Sequence, residues 1–333
     1  MSGETAMRLP ERPFLSLVID LNDGCNLKCV MCGPRANKRD QKVLPLPFFR
    51  SRIAPVFRHV ADFQLGCACE PLMLPYLAQA LALIGEHRHP DTQGQLITNG
   101  TLLTDATIDT LLASGVLSKI RISMDGATAA TYESIRKGAR FDQVCERVGR
   151  LCAQRTALGR PITVEFNFTI MPANYVELPK LIMLAARLGV DSVTTHRLAP
   201  DHLPFAPDDF LVAVTDAQER ARELAKGLGV AFQPSRYRSQ ADYHAKPRSA
   251  CAALRDRFRL DPEGFLFAQC HAALNPPTGN LLLNRLDEIV ASPAFAAYRG
   301  CLDNPHPAQC ERCLHFVTAE EQGPWADEAE GLL

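Results

Sequence analysis

Residues 23–32 of this 333-residue chain read Asp23–Gly24–Cys25–Asn26–Leu27–Lys28–Cys29–Val30–Met31–Cys32. The three cysteines directly follow an apolar run, Phe14–Leu21, that predicts a β-strand. They therefore lie at the carboxyl end of that strand, where parallel α/β barrels place their active sites. Three thiolates can bind three irons of a 4Fe–4S cluster, which ordinarily takes four cysteines, and leave the fourth iron open. A zinc site or three reduced core thiols are the alternatives for such a group.

Outward from this loop, strand-like runs alternate with helical patterns. The runs are Phe14–Leu21, Ala61–Leu65, Gln95–Thr98, Ser118–Met124, Ile162–Ile170 and Ser192–Leu198. Helices are predicted from the cap Thr104–Asp105 to Gly115, over Phe141–Ala157 and over Val176–Leu188. Strands that alternate with helices of this length indicate parallel βαβ units. We therefore predict an α/β fold in which residues 1–235 form a partial (β/α)6 TIM-like barrel.

The predicted strands alternate between apolar and polar residues. In the fifth strand Val164, Phe166 and Phe168 alternate with Glu165, Asn167 and Thr169. Because alternate residues point to opposite faces, the apolar set should pack under the helices and the polar set should face the barrel interior. An interior of this kind is wet enough to hold a polar ligand. An antiparallel sheet with one solvated face would alternate similarly, but the intervening helices disfavour it.

The composition excludes several classes of function. The chain has 36 basic and 37 acidic side chains. It therefore lacks the excess of positive charge that would favour binding to nucleic acid. No apolar run reaches the ~18 residues of a membrane span, and the amino terminus lacks the apolar core of a secretory signal. We expect a cytoplasmic protein with no membrane partner. In the cytoplasm, the twelve cysteines point to metal binding or catalysis rather than to disulfides. Cys145 and Cys152 are an exception, because they share one helix face and are interpreted as core residues.

The Cys25–Cys32 spacing and its place after a strand resemble the CxxxCxxC motif of the radical S-adenosylmethionine (SAM) superfamily. The resemblance extends over nearly the whole chain. It implies that Cys25, Cys29 and Cys32 hold a 4Fe–4S cluster whose open iron binds SAM. Met31 replaces an aromatic residue that packs near the adenine in relatives, and its polarizable side chain can do the same.

Other segments resemble the SAM-binding motifs of the same superfamily. Gly66–Cys67–Ala68–Cys69–Glu70–Pro71 resembles a GxGEP-type segment, which implies that Glu70 meets the SAM ammonium. Asn99 ends the third strand, and we assign it to SAM binding as well. A serine and an arginine hold the SAM carboxylate in relatives, which implies Ser123 and Arg136 here. An exposed helix arginine is the alternative interpretation of Arg136.

A second group of cysteines lies near the carboxyl end, at Cys251, Cys270, Cys310 and Cys313. From spacing alone, a tetrahedral zinc site is a real alternative to iron–sulfur. The region contains a hairpin signal at residues 261–264 and a closing CxxC, and it resembles the twitch domain, the shorter form of the SPASM domain of radical SAM enzymes. That resemblance implies a small C-terminal α+β iron–sulfur domain over residues 236–333, with a fully coordinated auxiliary 4Fe–4S cluster.

A layout with one auxiliary cluster resembles the dehydrogenases of aminocyclitol antibiotic biosynthesis and the related sugar epimerases. It implies a 5′-deoxyadenosyl radical that takes a hydrogen atom from a polar small molecule, such as a sugar, an aminocyclitol or a nucleoside-like compound. We predict oxidation of a carbinol with the auxiliary cluster as electron acceptor, and a donor such as flavodoxin or ferredoxin that reduces the first cluster. Candidate substrate contacts at the ends of strands five and six are Glu165, Asn167, Thr169, His196 and Arg197.

Three alternatives stay open. In an epimerase, Cys67 or Cys69 would donate a hydrogen atom to the substrate radical, although both can be read as fillers of a tight turn. Peptide maturation is disfavoured because we expect no leader-binding domain ahead of a first strand that begins near Phe14. The non-enzymatic alternative is a zinc or iron–sulfur binding protein. His196 taken alone is more often a structural histidine.

Overall fold

The computed structural model describes residues 9, 12–32, 41–198, 208–235, 250–251, 257–268, 277–297 and 316–317. Its strands are β1 (Leu15–Ile19), β2 (Lys28–Cys29), β3 (Val60–Leu65), β4 (Gln93–Thr98), β5 (Lys119–Ser123), β6 (Arg136–Lys137), β7 (Thr163–Ile170), β8 (Ser192–Arg197), β9 (Ala231–Gln233), β10 (Ala250–Cys251), β11 (Arg257–Leu260), β12 (Phe265–Ala268), β13 (Gly279–Asn280) and β14 (Phe316–Val317). The six strands predicted from the sequence are β1, β3, β4, β5, β7 and β8, and all six are confirmed close to their predicted bounds.

The helices lie between these strands. They are α1 (Leu46–Phe48), α2 (Leu77–His87), α3 (Asp105–Ala113), α4 (Ala129–Ile135), α5 (Phe141–Ala157), α6 (Leu178–Leu188), α7 (Asp208–Leu228) and α8 (Leu286–Val290). After α1 the chain continues through a π-helical turn, Phe49–Ile53, and a 3₁₀ segment, Ala54–His59. None of the helices in the described ranges is both long enough and apolar enough to cross a membrane.

One ten-stranded sheet organises the chain, in the order β13–β12–β11–β1–β3–β4–β5–β7–β8–β9. From β11 through β9 every neighbouring pair is parallel. Because β1, β3, β4, β5, β7, β8 and β9 are neighbours in chain order, right-handed crossovers place the connecting helices on one face of the sheet. The parallel pairing excludes the antiparallel alternative and confirms a barrel-type α/β fold.

The two faces of the sheet separate as the alternation predicts. Ile120, Ile122, Val164 and Phe166 are fully buried on the helix-covered face. Cys145 and Cys152 of α5 are buried in the same core, so their interpretation as packing residues is confirmed. The opposite face carries the polar set, and it forms the concave interior of the partial barrel.

The carboxyl-terminal hairpin joins this same sheet. β11 and β12 are antiparallel, and their turn is closed by the Asp261 carboxylate, whose Oδ1 accepts from Glu263 N at 3.0 Å and Phe265 N at 2.9 Å. β11 then pairs parallel to β1, so the sheet is continuous with residues from beyond position 235. The division of the chain at 235/236 into two domains stays a prediction.

The helical region that begins with α8 is interrupted. α8 ends at Val290, and a second helical segment spans 293–297. Pro293 has no N–H to continue α8, and its ring disfavours helical backbone in the residue before it. Ser292 Oγ instead accepts from Phe295 N at 3.2 Å and begins the second segment.

Candidate functional site

The cysteine loop leaves the carboxyl end of β1 and is fixed by a short antiparallel ladder. Cys29 lies in β2 and pairs with Arg136 in β6. Cys29 is buried, Cys25 is half-buried and Cys32 is exposed. The three cysteines of the loop thus range from buried to exposed at the carboxyl end of the barrel strands.

Nitrogen donors surround two of the three sulfur atoms. Cys25 Sγ accepts from Leu27 N at 3.5 Å and from Asn99 Nδ2 at 3.9 Å, and Cys29 Sγ accepts from Arg136 Nη1 at 3.8 Å. Hydrogen bonds of this kind stabilise thiolate ligands and orient them, and they set the potential of an iron–sulfur cluster. The donor set therefore fits a thiolate-bound cluster.

The protonation of the loop is unequal. Cys29 donates a hydrogen bond to Cys32, which lowers the pKa of Cys32 and raises that of Cys29. Burial raises the pKa of Cys25, and its hydrogen bond from Leu27 opposes that shift. Within the described ranges, no three His, Cys, Asp or Glu side chains converge as ligands of a single ion.

The loop after β3 lies beside the cysteines and is built on Gly66 and Glu70. Gly66 has φ +80°, and a Cβ there would lie 2.8 Å from Pro71 Cδ and 2.9 Å from Ile97 O, so only glycine fits. Glu70 is buried, and burial raises its pKa. Its carboxylate accepts from Leu72 N at 3.1 Å, Thr98 Oγ1 at 2.7 Å and Asn99 N at 2.8 Å. Glu70 thereby fastens this loop to the end of β4.

A second carboxylate, Asp20, joins the same loop to the carboxyl-terminal hairpin. Asp20 Oδ1 accepts from Cys67 N at 2.8 Å, Ala68 N at 3.2 Å and Cys69 Sγ at 3.2 Å. Asp20 Oδ2 accepts from Arg259 Nε at 2.9 Å and pairs with Arg259 Nη2 at 2.7 Å. We call these five residues the Asp20 junction. Burial and the Asp20 charge raise the pKa of Cys69 well above its usual range, so the Cys69 thiol is protonated.

Arg136 is buried, which excludes its interpretation as an exposed helix residue. Its Nη2 lies 2.6 Å from Asp125 Oδ2, and Asp125 Oδ1 accepts from Thr169 N at 2.7 Å. The Asp125 charge raises the pKa of Arg136 further, so the guanidinium stays charged beside Cys29. Ser123 lies at the end of β5, buried, in register with Asn167. A cation paired with Asp125 thus lies against Cys29 of the cysteine loop, where it can also meet an anionic ligand group.

Deeper in the barrel an ion triplet joins β5 to β7, and Ser192 of β8 adds a hydrogen bond to it. Glu165 Oε1 lies 2.6 Å from Arg121 Nε, and Glu165 Oε2 lies 3.2 Å from Lys119 Nζ and accepts from Ser192 Oγ at 3.2 Å. The Glu165 side chain is fully buried, whereas the two cations keep 16% and 30% of their side-chain exposure. Glu165 is therefore committed to its protein partners.

Several buried polar atoms on the interior face have no hydrogen-bond partner among the described residues. Glu165 Oε1 and Arg121 Nε are two of them, but they face each other as an ion pair, whereas Asn167 Oδ1 on β7 and His196 Nε2 on β8 have neither kind of partner in this part of the chain. Buried polar atoms are nearly always paired in folded proteins, so an unpaired acceptor and an unpaired ring nitrogen on one face point to a missing ligand or water. Thr169 and Arg197 lie on the same two strand ends.

The structure brings most of the predicted site residues to one end of the sheet. The cysteine loop, Glu70, Asn99 and Arg136 are joined by hydrogen bonds or ion pairs, and Met31 packs against the core beside them. The side chain of Cys251 and the whole of Cys270, Cys310 and Cys313 lie outside the described residues. Their assignment to an auxiliary cluster stays a prediction.

Sequence reasoning missed the carboxylates and cations that organise these groups. Asp20, Asp125 and Arg121 belong to the polar set of the alternating strands, which is the signal that could have found them. Their partners come from other strands, and Arg259 is 239 residues from Asp20 in the chain. No local pattern predicts such a pair.

Comparisons with known proteins agree with this geometry. A family model described as "Radical SAM superfamily" matches residues 19–194, more than half of the chain. The chain is 27% identical over 186 residues to the mycofactocin maturase MftC of Mycobacterium tuberculosis, covering 56% of this chain and 45% of that protein. It is 28% identical over 187 residues to the AdoMet-dependent heme synthase of Methanosarcina barkeri, covering 54% of this chain and 50% of that one.

Among solved structures, SuiB of Streptococcus suis bound to S-adenosylmethionine superposes with a TM-score of 0.67 at 16% identity. The superposition covers 87% of this chain and 68% of SuiB, and it shows a shared fold. The chain spans about half the length of the curated relatives that it matches.

Proposed function

The chain belongs to the radical SAM superfamily, and on this premise we propose that Cys25, Cys29 and Cys32 hold its SAM-binding cluster. The cofactors that membership implies are a 4Fe–4S cluster and SAM. The nitrogen donors to Cys25 and Cys29 support this ligand set. When bound, the cluster and SAM supply a 5′-deoxyadenosyl radical, and a flavodoxin or ferredoxin would supply the electron.

The SAM contacts that we propose are Met31, Glu70, Asn99, Ser123 and Arg136. Arg136 offers a permanent positive charge to a carboxylate, and Ser123 offers a hydroxyl at the end of β5. Asn99 holds the Cys25 sulfur, and Glu70 fixes both Asn99 and its own loop, so that backbone groups of residues 66–70 are ready to meet the ammonium. Met31 would lie against the adenine.

We propose that the substrate is a polar small molecule bound in the barrel interior, such as a sugar, an aminocyclitol or a nucleoside-like compound. The observation that carries the proposal is the pair of buried, unpartnered polar atoms Asn167 Oδ1 and His196 Nε2 on one interior face. A hydroxyl or amine of a substrate would satisfy both, whereas an apolar molecule would leave them desolvated at a cost of about 1–3 kcal/mol each.

The outcome that we favour is oxidation of a carbinol, with the electron passing to an auxiliary 4Fe–4S cluster held by Cys251, Cys270, Cys310 and Cys313. β10 pairs antiparallel with β14, which places Cys251 opposite Phe316, and Phe316 follows Cys313 by three residues in the sequence. This pairing supports a common site for the first and last of the four cysteines. The enzyme would then be a radical SAM oxidoreductase.

An epimerase is the second candidate, and the Asp20 junction favours it. Hydrogen-atom donation needs a protonated thiol near the substrate, and the Cys69 thiol is held protonated against Asp20 at 3.2 Å. Cys67 is the more exposed of the two thiols. Either could return a hydrogen atom to a substrate radical in place of electron transfer.

Peptide modification is a third candidate, and only the similarity to the maturase MftC favours it. A peptide substrate would need to reach the same interior from the open end of the barrel. We rank it below a small molecule because both unpartnered atoms are buried.

Anaerobic reconstitution tests these assignments together. The purified chain should contain about eight irons, and with dithionite it should cleave SAM to 5′-deoxyadenosine. Incubation with D-glucose, D-glucosamine, myo-inositol, an amino-deoxyinositol and uridine in deuterated water then separates the outcomes. A carbonyl product without deuterium at the reacting carbon supports oxidation, and deuterium there with retained oxidation state supports epimerisation.

Matched alanine variants locate the cluster. Cys25→Ala should lower the iron content by about half and abolish SAM cleavage, whereas Cys145→Ala, a buried cysteine in α5, should do neither. Bound zinc with no cleavage of SAM would instead make the chain a metal-binding protein and refute the proposal.

A further inference from the structure

His196 occupies a distinctive place on the interior face of the barrel. It lies near the end of β8, in register with Thr169 on β7, and it shares its face with Ser192, which donates to the buried Glu165. Its Nε2 is buried and has no partner among the described residues. A structural histidine in a core would have both ring nitrogens satisfied, so this arrangement is that of a group that awaits a ligand.

The groups that face His196 keep it neutral. Burial and the positive charge of Arg121 on β5 lower its pKa below the ordinary value of 6.5, and the negative charge of Glu165 on β7 opposes them. On its own strand Arg197 follows it, and β9 on the other side presents Gln233 and no titratable side chain. A neutral imidazole with a free nitrogen can accept a proton at neutral pH.

We propose that His196 is the catalytic base of the reaction, with Asn167 as the residue that orients the reacting hydroxyl. This inference rests on the proposed oxidation. The deoxyadenosyl radical would abstract the hydrogen atom from the carbinol carbon and become 5′-deoxyadenosine. The O–H proton passes to His196 Nε2, and an iron–sulfur acceptor, when bound, would take the remaining electron. The C–O single bond thereby becomes a carbonyl, and Asn167 Oδ1 accepts from a hydroxyl or amine of the same substrate.

Glu165 is the competing candidate for the base, because it lies on the same face. Its Oε1 lies 2.6 Å from Arg121 Nε, and its Oε2 lies 3.2 Å from Lys119 Nζ and accepts from Ser192 Oγ, so both oxygens already have polar neighbours within the protein. The geometry therefore assigns Glu165 to holding the cations and leaves the proton transfer to His196.

The test compares His196→Gln with His87→Gln, a matched change at the end of α2, outside the barrel. Glutamine can hydrogen-bond to a hydroxyl but cannot take its proton. The substrate for this test is the compound, among those named under the proposed function, that the wild type oxidises. In His196→Gln the kcat for carbonyl formation should fall about 100-fold or more, with a smaller change in KM. The product formed per 5′-deoxyadenosine should fall as well, and the acidic limb of the wild-type pH profile should disappear. His87→Gln should match the wild type.

An independent readout is the titration of His196 by NMR in the full-length reconstituted chain labelled with [13C]histidine, assigned by the missing resonance in His196→Gln. We expect a pKa below 6.5. A pKa above 7, or a His196→Gln kcat within threefold of the wild type, would refute the assignment of His196 as the catalytic base. Cleavage of SAM with no oxidised probe would instead overturn the proposed oxidation and with it this step, whatever pKa the titration gives.

Discussion

Replacing Asp20 by asparagine should loosen the loop that we propose for SAM binding and detach the carboxyl-terminal hairpin from it. Asparagine has the same shape but no charge. It leaves Arg259 without its counter-ion, and it keeps one acceptor oxygen for the three donors, Cys67 N, Ala68 N and Cys69 Sγ, that now share Oδ1.

The size of the effect follows from the burial of the pair. Asp20 is 1% exposed and Arg259 26%, so the pair is neither fully buried nor a surface pair. Removing one partner of a buried pair costs about 3–5 kcal/mol, and a hydrogen bond to a charged group contributes about 1.5–3 kcal/mol. Because Arg259 keeps contact with water and asparagine keeps an acceptor, we expect about 3 kcal/mol less free energy of unfolding. If about 1.4 kcal/mol of this loss is the free energy that orders the loop for SAM binding, SAM should bind tenfold more weakly.

Urea unfolding of the chain, followed by circular dichroism, measures the first quantity, and equilibrium binding of SAM to the reconstituted protein measures the second. Asp62→Asn is the matched control, because Asp62 lies on the adjacent strand and accepts from neutral Ser16 Oγ at 2.7 Å. It should cost less than about 1 kcal/mol. The double variant Asp20→Asn/Arg259→Met should cost less than the sum of its single changes. An Asp20→Asn protein within 0.5 kcal/mol of the wild type, with unchanged SAM affinity, would refute this reasoning.

Two further predictions concern the scaffold of the site. Glu177 accepts hydrogen bonds from Thr128 and Thr131 and from backbone N–H groups at the start of α4, and these bonds lower its pKa. Glu177→Ala should therefore lower the free energy of unfolding by about 2–3 kcal/mol at pH 7. Because the folded pKa lies below the unfolded value of 4.5, this difference between wild type and variant should stay constant above about pH 5.5 and shrink as the pH falls further; a difference that grows in acid would contradict it. Gly66→Ala should cost about 1–3 kcal/mol and weaken SAM binding, since φ +80° and Pro71 exclude a Cβ, and unchanged thermal unfolding would contradict that strain.

Much of the fold can be predicted because it depends on local patterns. The six barrel strands follow from apolar runs and their alternation, and the ends of the helices follow from caps such as Thr104 and from Gly189, which adopts φ +76° at the end of α6. The cluster loop can be predicted as well, because Cys25, Cys29 and Cys32 are close in sequence. Pro293 is likewise a local signal for the interruption of the helical region at Ser292.

The electrostatic organisation of the site could not be predicted, because it depends on pairs that only the sheet brings together. Asp20 and Arg259 are neighbours only because β11 pairs with β1. The sequence offers both Glu165 and His196 as candidates for substrate contact, with a structural role as the alternative for His196, and the structure separates them. Glu165 is committed to Arg121 and Lys119, whereas His196 Nε2 has no partner among the described residues.

The parallel pairing of β11 with β1 also has a consequence for the synthesis of the protein. The strand that leads into the cysteine loop is an interior strand, with β3 on one side and β11 on the other. While the ribosome is still making residues before 257, β1 is an open edge with unpaired N–H and C=O groups. The cluster loop therefore reaches its final support only when the last quarter of the chain has emerged. A long-range contact of this kind slows folding, and it makes the newly made chain vulnerable to aggregation until the hairpin arrives.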